Sequence, residues 1–310
     1  MKKLLLLSAF LVFNITVLKS QNFKISKEYK GHTETVYALA QSNDGNYLLS
    51  GGDDKNFILW NRYGDVVLQK KIHERSVNDV TFSSDNQRFI TAGSDQTYKI
   101  WNIDGSLVKT VIADEIYVKT IVYSNDGNYI LSGGGDNSAK LWTAEGEFLR
   151  EFTYHSCTIY EASFSPDDSM VLLASCDNTF SLWDINANKK FQIEHHKSGV
   201  STASFSPDGR QILTGSFDNT LALWDLKGNL IREFKGHDSE ISQAEFSKDG
   251  KYILSASEDG TAKLWKTDGT QLKTFGEQNE IDYLAATFSY DEEHIIISSP
   301  DFSIKFWQLN

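Results

Sequence analysis

The sequence predicts an all-β protein: a seven-bladed β-propeller of four-stranded antiparallel blades, its ring closed by the N-terminal strand. Three observations lead there. Seven tryptophans, Trp60, Trp101, Trp142, Trp183, Trp224, Trp265 and Trp307, are spaced 41 residues apart five times and then 42, and the chain has no others. Six residues before each stands an aspartate: Asp54, Asp95, Asp136, Asp177, Asp218, Asp259 and Asp301. Aromatic residues make up 13% of the chain, with 21 glycines and only 3 prolines, which suits short strands joined by tight turns. A fixed period of this length marks units that bury their apolar faces only against neighbours.

The first 20 residues fall outside the period. Lys2 and Lys3 precede an apolar run over residues 4–18, and a small residue, Ser20, follows, the pattern of a secretory signal. The run is 15 residues long and is broken by Asn14 and Thr16, where a membrane span needs about 20 apolar residues. This argues against an uncleaved anchor. Cleavage after Ser20 would leave Gln21 first, and no cysteine precedes Cys157 to carry a lipid at the cleavage site. The expected product is residues 21–310, one soluble, monomeric propeller in the periplasm or outside the cell. Losing Lys2, Lys3 and Lys19 with the signal takes the formal charge from −12 to −15. Such a chain, with no basic cluster, is a poor ligand for nucleic acid and for anionic membrane, and no membrane insertion is expected.

Within the first repeat, residues 36–40, 47–50 and 56–60 read as three strands bounded by turn residues. A fourth strand follows each tryptophan, as at residues 107–111 and 230–234. Asn43-Asp44-Gly45, Asp126-Gly127, Asp208-Gly209 and Asp249-Gly250 mark the first hairpin, and Asp104-Gly105, Glu145-Gly146 and Asp268-Gly269 the last. Four antiparallel strands make one blade. Only three residues follow Trp307, so the last blade lacks an outer strand of its own, and residues 23–30, just before Gly31-His32, are expected to supply it. Closure of this kind leaves no open edge between the first and last blades.

Twenty-eight residues before the tryptophans come His32, His73, Asp114, His155, His196, His237 and Asn279; ten before come Ser50, Thr91, Ser132, Leu173, Thr214, Ser255 and Ile297. Gly31-His32 and Gly236-His237 open repeats, and Trp183-Asp184 and Trp224-Asp225 close them. Over residues 23–310 the chain resembles the WD-repeat family, here of an exported bacterial type. The resemblance implies hydrogen-bonded tetrads tying outer strands to inner ones: His32, Ser50, Asp54 and Trp60; His73, Thr91, Asp95 and Trp101; His196, Thr214, Asp218 and Trp224; His237, Ser255, Asp259 and Trp265. Blades 3, 4 and 7, with Asp114, Leu173, Asn279 and Ile297 at tetrad positions, are expected to be looser. The alternative, that these histidines and aspartates bind metal or act as acid and base, conflicts with one set per blade, because sets spread around a ring do not converge. No metal or cofactor is expected. His195 and His294 read as surface histidines.

A hydrolase or lyase at the channel mouth is the alternative to a binding protein. The six arginines, Arg62, Arg75, Arg88, Arg150, Arg210 and Arg232, are expected in turns, loops or outer strands, and no nucleophile elbow, zinc helix or phosphate loop occurs. The expected function is therefore a non-catalytic protein-interaction module or scaffold. The family resemblance places partners on the top face, at positions three and five after the histidine and one before the aspartate. Asp53, Glu240, Glu258 and Asp282 then form an acidic arc on blades 6, 7 and 1, and Tyr37, Tyr117, Tyr160 and Phe217 give aromatic anchors, with Lys119 and Leu284 in the same set. This fits a protein or peptide with a basic segment; the alternative is that the acids only reflect net charge and the rings pack locally. Cys157 and Cys176, the only cysteines, fall in top-side loops of blade 4, where they form a disulfide or remain two small buried thiols.

Overall fold

The structure of the protein, a computed structural model, describes residues 24–276 and 285–309. Asn279, Asp282, Leu284 and the leader all lie outside the described residues. Seven four-stranded antiparallel sheets follow one another around a ring. Blade 1 is Val36–Gln41, Tyr47–Gly52, Asn56–Asn61 and Val66–Lys71, and blades 2 to 6 repeat that pattern. Blade 7 is assembled from Ala286–Phe288, His294–Ser298, Ile304–Gln308 and, from the other end of the chain, Ile25–Tyr29. No helix occurs among the described residues, and so none there is long and apolar enough to cross a membrane.

The tryptophans join the blades. Each packs against an aromatic ring of the preceding blade: Trp101 on Phe57, Trp142 on Tyr98, Trp183 on Phe152, Trp224 on Phe180, Trp265 on Phe234 and Trp307 on Phe275, with ring centroids 5.1–6.3 Å apart. Trp60 has no earlier blade in sequence, and Tyr29 of the N-terminal strand meets it at 5.4 Å. That strand pairs with Ile304–Gln308, and Tyr29 is 5% exposed between Trp60 and Phe306. Its hydroxyl donates to Arg62 O at 3.2 Å. Closure thus uses the same aromatic step as every other seam, at about 0.5–1.5 kcal/mol beyond area burial per ring pair.

Two bulges recur. Each inner strand of blades 1 to 6 slips register around its second residue, Tyr37, Asn78, Lys119, Tyr160, Ser201 and Ser242. A bulge re-aims a side chain, and here it acts on the residue five after the histidine. The second bulge precedes each tryptophan in the outer hairpin of those blades.

The lower turns come in two kinds, and the four glycine turns read from the sequence are one of them. Blades 1, 3, 5 and 6 place glycine in the left-handed region there, with Gly45 at φ 69°. Blades 2, 4 and 7 hold the same conformation with Asn86, Asp168 and Glu292, at φ 58°, 57° and 54°. The side chain that glycine lacks then binds the preceding blade: Asn86 Oδ1 accepts the Asn43 amide at 2.9 Å, Asp168 accepts the Asn125 and Asp126 amides at 2.9 and 2.8 Å, and Glu292 accepts the Lys248 amide. Asn and Asp tolerate this region better than other side chains.

Candidate functional site

In blades 1, 2, 5 and 6 the tetrad residues form one hydrogen-bonded chain. The Trp60 indole N–H donates to Ser50 Oγ at 2.9 Å, Ser50 Oγ lies 2.8 Å from His32 Nε2, and His32 Nδ1 lies 2.9 Å from Asp54 Oδ2. An indole only donates and an ionised carboxylate only accepts, so Nδ1 directs its proton to aspartate, and a neutral imidazole then takes the serine proton at Nε2. Blades 2, 5 and 6 repeat the three contacts at 2.8–3.2 Å. Burial alone would raise the Asp54 carboxyl, but the His32 contact and the Asn56 and Thr33 amides outweigh it and hold it below the ordinary carboxylate value. Burial lowers the imidazoles of His196 and His237, which keeps them neutral. A Cβ on Gly31 would stand 2.7 Å from the Trp60 ring, which explains glycine before histidine in that repeat.

Blade 4 corrects the expectation that Leu173 leaves its chain broken. Ser181 takes the missing hydroxyl's place, 2.7 Å from His155 Nε2 and accepting Trp183 Nε1–H at 2.7 Å, while His155 Nδ1 reaches Asp177 at 2.9 Å. Leu173 and Ser181 face each other across the two strands, so a hydroxyl from either reaches the same point. Blade 3 splits its chain. Trp142 still donates to Ser132 at 2.9 Å, but Asp114 accepts the Ile116 and Tyr117 amides at 2.6 and 2.9 Å, and Lys140 pairs with Asp136. Burial and the Asp136 charge raise the Asp114 carboxyl. In blade 7 Ile297 is buried and Asp301 pairs with Lys305 at 2.8 Å.

The three upper-face positions are brought together by the backbone. In blades 1 to 6 the amide of the residue before the aspartate donates to the carbonyl of the residue three after the histidine: Asp53 to Thr35, Ser94 to Ser76, Gly135 to Tyr117, Cys176 to Thr158, Phe217 to Gly199 and Glu258 to Glu240, at 2.9–3.1 Å. Tyr37, Lys119 and Tyr160 stand beside these pairs on their bulges. All eight described candidates, Tyr37, Asp53, Tyr117, Lys119, Tyr160, Phe217, Glu240 and Glu258, are half-buried. Tyr160 meets Phe217 edge-on at 5.0 Å, Tyr117 Oη lies 2.9 Å from Thr158 Oγ1, and Lys119 Nζ lies 5.8 Å from the Tyr160 ring centre. Burial, then Tyr117, Glu240 and Glu258, raise the Tyr160 phenol, so the acids and the aromatic anchors share one field. Cys157 and Cys176 form a disulfide with sulfurs 2.07 Å apart, joining the two loops of blade 4 at this face.

Below the mouth a second set of ties was not read from the sequence. Asp79 Oδ2 accepts the Ile121 amide at 2.8 Å, Glu161 Oε2 the Ala203 amide at 3.1 Å, and Glu245 Oε1 the Phe288 amide at 2.7 Å, each across a blade seam. Thr202 and Gln243 act likewise on the Ala244 and Ala286 amides at 3.3 and 3.1 Å. The available signal was polarity at the sixth residue after the histidine, where Asp79, Glu161, Thr202 and Gln243 stand. Burial pushes Asp79 up to about 6, Glu161 to about 8 and Glu245 to about 7. Tyr37, Asn78, Asp79, Lys119, Tyr160 and Glu161 line a channel-mouth cavity of about 90 Å³. Within that cavity burial lowers the Lys119 ammonium, and the Asp79 charge opposes the shift.

Perturbed carboxyls mark catalytic candidates, but these three are committed to backbone amides in different seams. Among the described residues one group brings three histidine and carboxylate side chains together with their ligand atoms within 4.8 Å of one another, Asp291, Glu293 and His294 in the lower turn of blade 7. Asp291 there accepts the Ser289 hydroxyl and the Glu293 amide, which commits one of its oxygens to the turn.

The family described as IFT122 first beta-propeller matches residues 76–310, and the WD domain, G-beta repeat, matches residues 23–61. No curated protein matches the chain. Seven tryptophan-centred blades, closed by the N-terminal strand and matched over nearly their whole length, show that the chain belongs to the WD-repeat β-propellers, in the family of the IFT122 first beta-propeller.

Proposed function

We propose that this protein is a non-catalytic scaffold that works outside the cytoplasm and binds a partner protein or peptide on the upper face of its propeller. WD-repeat propellers are in general protein-interaction modules. One observation carries the choice of face: the backbone bond that joins each pair of upper-face positions sets acidic Glu240 and Glu258 beside each other, within the electrostatic reach of Tyr160 and its partner Phe217. A basic segment meets the acids, and an apolar side chain meets the rings. Half-buried aromatic residues held by neighbours lose little entropy on binding, which is how hot spots concentrate affinity.

The test is capture from the native cell envelope with mass spectrometry, comparing the mature protein with a Glu240→Lys/Glu258→Lys variant. Loss of a specific partner at unchanged melting temperature is expected; undiminished capture by the variant overturns the choice of face. Export is tested apart from binding. N-terminal sequencing of the mature protein should read from Gln21, and a chain still beginning at Met1 would contradict it.

A further inference from the structure

On the lower face, between blades 2 and 3, the turns enclose a groove of about 710 Å³. Tyr123, the last residue of the inner strand Val118–Tyr123, lines it. Tyr123 is 7% exposed, and its buried hydroxyl has no hydrogen-bond partner among the described residues. Behind it Tyr98, fully buried, carries a second hydroxyl without one. The position of Tyr123 is held by Phe82, Phe164, Phe205, Phe246 and Phe288 in the other blades except blade 1, and that of Tyr98 by Phe57, Ala139, Phe180, Leu221 and Ala262 in blades 1 and 3 to 6. The fold therefore needs only an apolar side chain at either place. A buried hydroxyl left unpaired costs about 1–3 kcal/mol, so this seam carries a penalty that its equivalents lack unless a donor or acceptor enters the groove.

The groove's charge defines what enters. Asp85, Asp104, Asp126 and Glu145 line it against one cation, Arg88, which opens the second strand of blade 2 and lies 4.0 Å from Glu145. Asp85 accepts Ser83 Oγ at 2.6 Å, Asp104 accepts Ser106 Oγ at 2.6 Å and Asp126 accepts Ser124 Oγ at 2.6 Å. Those bonds fix the carboxylates and keep them ionised. Blades 4 and 5 have Asn186 and Lys227 where blade 3 has Glu145, so their seams lack this surplus. Ile103 and Ala144 add an apolar shelf.

We propose that this groove binds an alkylammonium group, from a free polyamine or from a partner's lysine side chain. The ammonium donates to Tyr123 Oη and is countered by the groove's carboxylates, while the methylene chain lies on Ile103 and Ala144. The site is on the opposite face from the one proposed above and does not depend on it.

Calorimetric titration of the mature protein in 0.15 M salt with 1,5-diaminopentane, and separately with Nα-acetyl-lysine methylamide, tests the site, the salt level being set at about physiological ionic strength. One molar equivalent of the diamine is expected to bind. Tyr123→Phe should weaken it about tenfold or more while leaving the melting temperature unchanged or raised, since a charged hydrogen bond is lost but no partner is orphaned. Glu145→Gln should weaken it without unfolding, and Glu240→Lys/Glu258→Lys should bind as the wild type does. Binding of both ligands admits a partner's lysine; binding of the diamine alone assigns a free polyamine. Equal affinity in Tyr123→Phe, or no saturable binding at this salt, overturns the proposal, the first by showing diffuse charge attraction in place of a site.

Discussion

Replacing Glu161 by glutamine should stabilise the protein above pH 6 and flatten its stability against pH. Glu161 lines the channel and spans the seam between blades 4 and 5, accepting the Ala203 amide at 3.1 Å. Burial raises its carboxyl from 4.5 to about 8, against the Thr202 and Ala203 hydrogen bonds, with Asp79 and Glu245 adding like charge. Between these two values the unfolded chain has released a proton that the folded chain keeps, so stability falls as pH rises. At about 1.4 kcal/mol per pH unit, the fold at pH 7 is destabilised by about 3 kcal/mol relative to a neutral side chain. Glutamine keeps the acceptor and volume and cannot ionise. Thermal unfolding followed by circular dichroism at pH 5, 6, 7 and 8 measures the difference. The variant should gain little at pH 5 and most at pH 8; parallel curves for variant and wild type would show that Glu161 ionises normally, and the account of the channel would fail.

Three further outcomes follow from the packing. Ser181→Ala should cost about 1–3 kcal/mol, because it leaves buried His155 and Trp183 nitrogens without a partner, and chemical denaturation that finds no loss would refute the substitute tetrad of blade 4. A Cys157→Ser/Cys176→Ser variant opens a link spanning 19 residues and should lose about 3 kcal/mol by the chain-entropy account. Two titratable thiols in the unfolded, unreduced wild type would refute the bridge itself. Deletion of residues 21–30 removes the Tyr29 step onto Trp60 and should lower the melting temperature of the whole molecule, with Tyr29→Ala alone costing about 3 kcal/mol; an unchanged melting temperature would refute closure by this strand.

Much of the fold was legible because a repeat reports the same constraint many times. Trp60 and its six counterparts, with aspartate always six residues before, fixed blade number, blade boundaries and the need for a closing strand before any coordinates. The tetrads were legible for the same reason, and the one misjudged blade shows the limit. Leu173 removed a hydroxyl at the expected number, and only cross-strand pairing revealed that Ser181 lies opposite it. The upper-face set was placed by position within the repeat, but the half-burial of its residues and the cavity that Lys119 shares with Asp79 depend on neighbouring blades.

By itself, then, the sequence determined the architecture, since period, turn chemistry and apolar alternation act over a few residues and repeat around the ring. Only the tertiary structure decided what occurs across the seams. Asp79, Glu161 and Glu245 meet amides some 42 residues away, Asn86, Asp168 and Glu292 reach back to the preceding turn, and Tyr123 keeps an unpaired hydroxyl where five of its six counterparts are phenylalanine. These contacts join residues one repeat apart. Their energies depend on burial and on which atom faces which, and neither is fixed until the blades close around the channel.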